Sequence, residues 1–405
     1  MLDQVAAIDW VKKRISSFGG SESDICIMGH GAGGTSVALH MLSPLSMGKF
    51  NRAIAMSGSA FSKHIKPFPS KEMYKEIVNG FCGDFKTGKE VINCYRNIEV
   101  RALVDKASAF DWGPVIDNST GSFLPKDPED ILEMGQFNKV EFMTGYTNKE
   151  DILDITNVNN IENGVTAMEF EDLIASELTE EYSNDENNNT CPSDMQHIIE
   201  TALFYYKPHP ETSDTTILRE RYSDYITERR YGSGIYKQAI YTSAYINTYV
   251  YRFDYKPKKP LLTSIPEWAY VPHGFELPFV WGMPYWPNLQ NVVWNGADRR
   301  VVDTVMNLWG NFAKFGNPIQ NGLSYKWEVF KKVTPGVMII DRNFNMSDPS
   351  IFDHRAFDFW NEYFPNVIEA TRCCNTTQAG FQIQSNSYLI GLSAVVIAGL
   401  PLVGH

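Results

Sequence analysis

The sequence is short of positive charge. Lys and Arg number 36 against 48 Asp and Glu, a net charge of −12, and an acidic surface repels phosphate backbones instead of releasing their counterions. No nucleic-acid partner is expected. Also missing is any C-x-x-C or H-x-x-x-H pair, the close ligand spacing on which tetrahedral zinc sites are built, so neither a metal nor another cofactor is expected. No internal repeat is visible. The first thirty residues lack the basic start, apolar stretch and small-residue cleavage site of a secretory signal. What is there describes a globular chain: 405 residues, 43% apolar and 13% aromatic, which excludes disordered, collagen-like and coiled-coil classes.

The two ends differ. Apolar residues at Val5, Ile8, Trp10 and Val11 predict an amphipathic helix over residues 1–14. At the other end Tyr388 to Gly404 is an uncharged apolar run of 17 residues, which as a helix would reach about 26 Å against a hydrocarbon core of roughly 30 Å. No Lys or Arg follows it. Small residues Asn375, Thr376 and Thr377, a polar stalk over 371–387 and the tail at 388–405 fit the signal for a lipid (GPI) anchor, with a single membrane span and a buried core helix as alternatives. Pro401 weakens both helical alternatives. Sequons at Asn118, Asn188, Asn345 and Asn375 extend the exported reading, and the expected location is the extracellular face of the plasma membrane. Cys82 and Cys94 enclose a short loop and would form a local disulfide in an oxidising compartment. An exported C-terminus without a leader predicts that the natural start lies upstream of Met1.

Between the ends the pattern is one continuous α/β domain over residues 1–370. Short apolar runs at Cys26–Met28, Ala53–Met56, Val140–Met143, Tyr249–Phe253 and Val337–Ile340 read as buried strands separated by helical segments. That alternation predicts a mostly parallel sheet covered on both faces. Residues 171–194 contain an acidic, Asn-rich stretch that reads as a surface loop holding Cys191.

The informative stretch runs from Ser23 to Leu42: a buried strand, a Gly-rich turn, then a helix. This is the context of a nucleophile elbow, in which small residues permit a strained turn that exposes a serine at a helix N-terminus. Here the turn reads Gly29-His30-Gly31-Ala32-Gly33, and no G-x-S-x-G occurs anywhere in the chain. Gly31 holds the nucleophile's position without a side chain. His30 carries an imidazole, but a residue next to the apex is expected to point elsewhere, and Ser36 and Ser57 are further away.

With these residues in view the chain strongly resembles the type-B carboxylesterase and cholinesterase family, an α/β-hydrolase family that includes neuroligin-like, non-catalytic adhesion proteins. The matching words are Leu2-Asp-Gln4, Asp9-Trp-Val11, Phe18-Gly-Gly20, the Gly29 to Gly33 turn, Leu42-Ser-Pro44, Ala55-Met-Ser-Gly58, Pro114-Val-Ile-Asp117, Val271-Pro-His-Gly274, Trp309-Gly-Asn-Phe312 with Gly316-Asn-Pro318, and Phe359-Trp-Asn361. They run from residue 1 to about 365 and match roughly the C-terminal two thirds of such a domain, so the resemblance implies an α/β-hydrolase fold whose N-terminal strands and Gly-rich oxyanion segment are missing. It further implies that His273 matches the catalytic base and Glu150 the acid that orients it. By the same resemblance Phe110, Trp112 and Phe275 match positions lining the acyl pocket and gorge, and Cys82 and Cys94 match the small-loop disulfide.

Three functional readings follow. The first is a catalytically inactive, membrane-anchored, cell-surface binding or adhesion protein with a protein partner and a capacity to form homodimers. The second is an acetylcholinesterase-like ester hydrolase, if Gly31 is a sequence error. The third is a truncated product with no folded role.

Overall fold

A computed structural model describes residues 1–371 except 64, 66–76, 78, 84–86, 109, 111, 154, 156–160, 184–191, 259–264, 288–292, 321–323 and 348–351. Six strands form one sheet in chain order: β1 (Cys26–His30), β2 (Arg52–Met56), β3 (Glu141–Thr147), β4 (Thr248–Phe253), β5 (Val337–Ile340) and β6 (Asn345–Met346). The first five are parallel and β6 turns back antiparallel on β5. All five strands expected from apolar runs are present. The two-residue β6 carries too little pattern to be read from sequence.

Strand alternation sorts the core into two layers. Ile54 and Met56 of β2, Tyr249, Tyr251 and Phe253 of β4, and Met338 and Ile340 of β5 pack with the helix α7 (Gly296–Phe315). On the other face Ala53 and Ala55 of β2 meet α2 (Ala32–Leu42), while Val250, Val337 and Ile339 meet α6 (Ser233–Ser243). The two faces belong to one sheet, as the α/β pattern predicts. Helix α1 (Leu2–Arg14) buries only Val5, and is tied to α2 by Gln4 Oε1 on His40 Nε2 at 3.0 Å. A satellite core lies away from the sheet among α3 (Ala167–Ser183), α4 (Pro192–Tyr206), α5 (Thr215–Thr227) and α8 (Phe364–Thr371), around Phe170, Ile174, Leu178, Tyr206 and Phe364.

That satellite corrects the expected loop at 171–194. Helix α3 continues to Ser183 because Phe170, Ile174 and Leu178 recur at one helical face and are fully buried; the acidic residues between them occupy the outer face. Burying such side chains is worth about 1.5–3 kcal/mol each, which outweighs the modest loop preference of the polar residues.

Helix α7 buries Val301, Val302, Val305, Leu308, Trp309 and Phe312 against the sheet. Its start is set by a capping box: Asn295 accepts from Ala297 N at 2.7 Å and Asp298 N at 3.0 Å, and Asp298 accepts from Asn295 N at 2.8 Å. Asp298 is fully buried and also accepts from Tyr255 OH at 2.6 Å. Replacing Asn295 by Ala is expected to cost about 1–2 kcal/mol, read as a lower denaturant midpoint with unchanged slope.

Cys82 and Cys94 are joined as a disulfide. Asn118 and Asn345 are exposed. Asn188, Asn375, Cys191, Cys373, Cys374, the 371–387 stalk beyond its first residue and the 388–405 tail lie outside the described residues. Among the described residues no helix is long and apolar enough to cross a membrane.

Candidate active site

The turn between β1 and α2 has the geometry of an elbow. Gly31 adopts φ 57°, ψ −120° and forms the N-cap of α2, a backbone that residues with a side chain take only under strain. It is pinned from both sides: Gly31 N donates to Met56 O at 2.9 Å, and Gly31 O accepts the first helical bond from Thr35 N at 2.9 Å. A Cβ on Gly29 would lie 2.2 Å from Gly33 O, so strand and helix can approach this closely only because residue 29 is also glycine. The backbone N–H groups of the first turn of α2 have no intrahelical partner and face outward with the positive end of the helix dipole.

The turn after β3 brings in the carboxylate. Lys149 N donates to Val271 O at 3.2 Å and Val271 N to Asn148 Oδ1 at 3.3 Å, stitching residues 148–150 to 271–273. His273 Nδ1 thereby bonds Glu150 Oε2. Glu150 is fully buried, and its other oxygen accepts from Thr147 N at 2.8 Å and Ser57 Oγ at 2.6 Å. These bonds fix the carboxylate, and the carboxylate fixes the imidazole with its Nδ1 protonated and Nε2 outward. Ser57 (φ 48°) and Asp151 (φ 48°) hold left-handed backbones without being glycine, so strain is concentrated around this dyad.

Gly31 and His273 meet at the decisive point. A Cβ on Gly31 would lie 3.0 Å from His273 Nε2 and 3.5 Å from Cε1, and among the described residues, beyond its chain neighbours, no other atom comes within 4 Å of that position. The three sequence positions expected to form a triad, 31, 150 and 273, therefore do converge.

A second imidazole stands beside the first. The His30 ring lies 4.4 Å from that of His273, centroid to centroid, where the sequence reading had it pointing elsewhere; residue 30 ends β1 on the side of the sheet where the 273–276 loop crosses. His30 Nε2 faces Glu276 Oε1 at 3.4 Å, yet among the described residues neither Glu276 oxygen nor His30 Nε2 has a hydrogen-bond partner. Burial, then the neighbouring Glu150 charge, pushes the fully buried Glu276 carboxyl up to about 8. Burial and then His273 push His30 down to about 4. At neutral pH this is a carboxylic acid beside a neutral imidazole, not an ion pair. Burial also works to lower the pKa of His273, but the bond to Glu150 and the charges of Glu150 and Asp151 outweigh it and raise the pKa above its usual 6.5.

In the sequence reading His30 and Ser57 are weighed as replacements for the serine and both set aside, and Glu276 has no role. Its one signal is its place three residues after His273 on the same loop.

The expected pocket residues scatter. Trp112 lines an open groove of about 1170 Å³ with Ala32, Thr35 and Ser36 of α2, Pro114 and Phe123, so it does stand over the helix start. It also borders an apolar cavity of about 510 Å³ with Tyr95, Leu103 and Val104. Phe110 is half-buried. Phe275 packs against the α7-side core. Among the described residues no group of His, Cys, Asp and Glu side chains is arranged to hold a metal ion.

A parallel sheet layered by helices, with an elbow at a helix start and an acid–imidazole dyad beneath it, defines an α/β-hydrolase. Residues 1–360 match the carboxylesterase family model, and the chain belongs to the carboxylesterase family. It is 27% identical over 409 aligned residues to Mus musculus cholinesterase, covering 95% of this chain and 64% of that protein. It is 28% identical over 328 residues to neuroligin-2 of Rattus norvegicus and of Homo sapiens, covering 79% of this chain and 38% of each. The chain thus spans less than two thirds of the length of these relatives.

Proposed function

We propose that this cholinesterase-like protein is a catalytically inactive hydrolase fold used for binding at the cell surface, with a protein partner. The observation that carries the reading is Gly31: acyl transfer through an enzyme-bound ester needs an oxygen where this residue has only a hydrogen. Likeness to neuroligin-2 supports a surface role, as do two exposed sequon asparagines, Asn118 and Asn345. Attachment to the outer face of the plasma membrane through residues 388–405, glycosylation and homodimer formation belong to the same proposal.

The test is a serine-directed fluorophosphonate probe on the wild-type protein, with adducts mapped by peptide mass. No modified serine is expected. A modified serine would overturn the reading. The second reading, a carboxylic-ester hydrolase with serine at position 31, draws on the intact Glu150–His273 pair; resequencing the codon for residue 31 decides between them.

A further inference from the structure

A dyad without its nucleophile is not inert chemistry. In a complete triad the serine covers the imidazole's outer nitrogen and takes the acyl group. Here the side-chain position of residue 31 is open, and the atom it uncovers is His273 Nε2, 3.0 Å from where a Cβ would stand. The His273 side chain is 31% exposed, while Glu150 behind it is fully buried and held by two further donors. The Nε2 lone pair is therefore aimed outward by a rigid support. It faces the first turn of the 11-residue helix α2, whose unpaired N–H groups would meet a developing oxyanion.

We propose that His273 is itself an acyl acceptor: activated carboxylic esters and carbamates enter the space left by Gly31 and transfer their acyl group to Nε2. The inference goes beyond the binding role, and it needs no serine. The Nε2 lone pair forms a bond to the carbonyl carbon, and the bond from that carbon to the leaving aryloxide breaks. The Nδ1 proton passes to the Glu150 carboxylate, leaving a neutral N-acylimidazole. One acyl group is taken up per imidazole, without turnover, so the step is a modification and not ester hydrolysis by the fold. His30 does not compete, because its Nε2 is buried against Glu276.

Only the neutral imidazole reacts. The groups around it are Glu150 and Asp151 from the turn after β3, Glu276 from its own loop, His30 at the end of β1, and Tyr231, whose ring lies 5.3 Å away between α5 and α6. Since their net effect is to raise the His273 pKa, the acylation rate is expected to climb with pH through a midpoint above 6.5.

The experiment treats the 405-residue protein with a 4-nitrophenyl carbamate, whose imidazole adduct outlasts an acyl one, and maps the product by mass spectrometry. One carbamoyl group on His273 is expected, with an equal amount of 4-nitrophenolate released and the exposed His197 as the background rate. His273→Gln should remove the adduct. Glu150→Gln, which can still accept from Thr147 N and Ser57 Oγ, should slow it by about tenfold or more through loss of imidazole orientation. Gly31→Ala should block it by filling the entry, with thermal midpoints confirming that each variant is folded. A His273 rate no faster than His197, or one unchanged in folded Glu150→Gln or Gly31→Ala protein, would overturn the proposal. An adduct on serine would instead count against the inactive-hydrolase reading, so the two failures are told apart by the residue modified.

Discussion

Gly31→Ser protein should acquire a fluorophosphonate adduct at residue 31 that the wild type lacks. The elbow backbone is already in place at φ 57°, ψ −120°, and its left-handed strain would cost the serine variant about 1–3 kcal/mol of stability. The new Cβ would press on His273 Nε2 at 3.0 Å, so the ring must withdraw by a few tenths of an ångström. It has room, being partly exposed on its outer side. Glu150 supplies the remaining member, and the unpaired N–H groups of α2 supply part of the oxyanion stabilisation. Removing the serine from a working triad costs about 2 × 10⁶ in turnover, so even a partial restoration should label at least about 10³-fold faster than wild type. Gly31→Ala, equally strained but without the oxygen, should show no such adduct. A folded Gly31→Ser protein that stays unlabelled would mean that position 31 is not a nucleophile site in this chain.

The second large effect is a pH dependence of stability centred on Glu276. An ordinary glutamate has a pKa of 4.5, and burial raises this one to about 8. The folded state therefore holds a proton that the unfolded chain releases, and stability falls as pH rises from about 4.5 through 8. Glu228, buried and likewise raised to about 8, acts in the same direction. So does His273, whose stabilising charge pairing is complete below 6.5 and lost as pH climbs through its raised pKa. His30 acts oppositely: lowered to about 4, it weakens the fold as pH drops below 6.5. Glu276→Gln mimics the protonated carboxyl, so its advantage over wild type should grow between pH 6 and pH 9 by on the order of 2–3 kcal/mol. Thermal midpoints at the two pH values measure this, and a gap that does not widen would show that Glu276 does not titrate as described.

How much of this was legible beforehand depends on range. The strands were readable because buried parallel strands are short, nearly continuous apolar runs, and the elbow because its glycines are demanded by backbone geometry and not by distant contacts. Convergence of Gly31, Glu150 and His273, 119 and 123 residues apart in the chain, was accessible only through family likeness, since spacing alone says nothing of a bridge such as that between Lys149 and Pro272. His30 and Ser57 were weighed beside the elbow and set aside, and Glu276, three residues after His273, was not read as a site member. Each owes its place to a backbone crossing set by tertiary packing, and each is a residue type with many ordinary surface uses. Helix α3 illustrates the converse, for a composition suited to a loop yields to three buried apolar side chains on one face.

Among the described residues β1 is the edge of the sheet, paired only with β2 and half-buried along its length. Within that set of strands the outer side of β1 adjoins no other strand, and its last residue, His30, is followed by Gly31. A strand paired with that side of β1, from elsewhere in the protein or from a partner, would sit one residue from the elbow, and its binding would be linked to any ligand that favours one setting of that turn. That linkage is reciprocal: a ligand at His273 that favours one setting of the elbow by some factor changes the affinity of the docked strand by the same factor. The outer side of β1 and the His273 site would in this sense be two ports of one equilibrium.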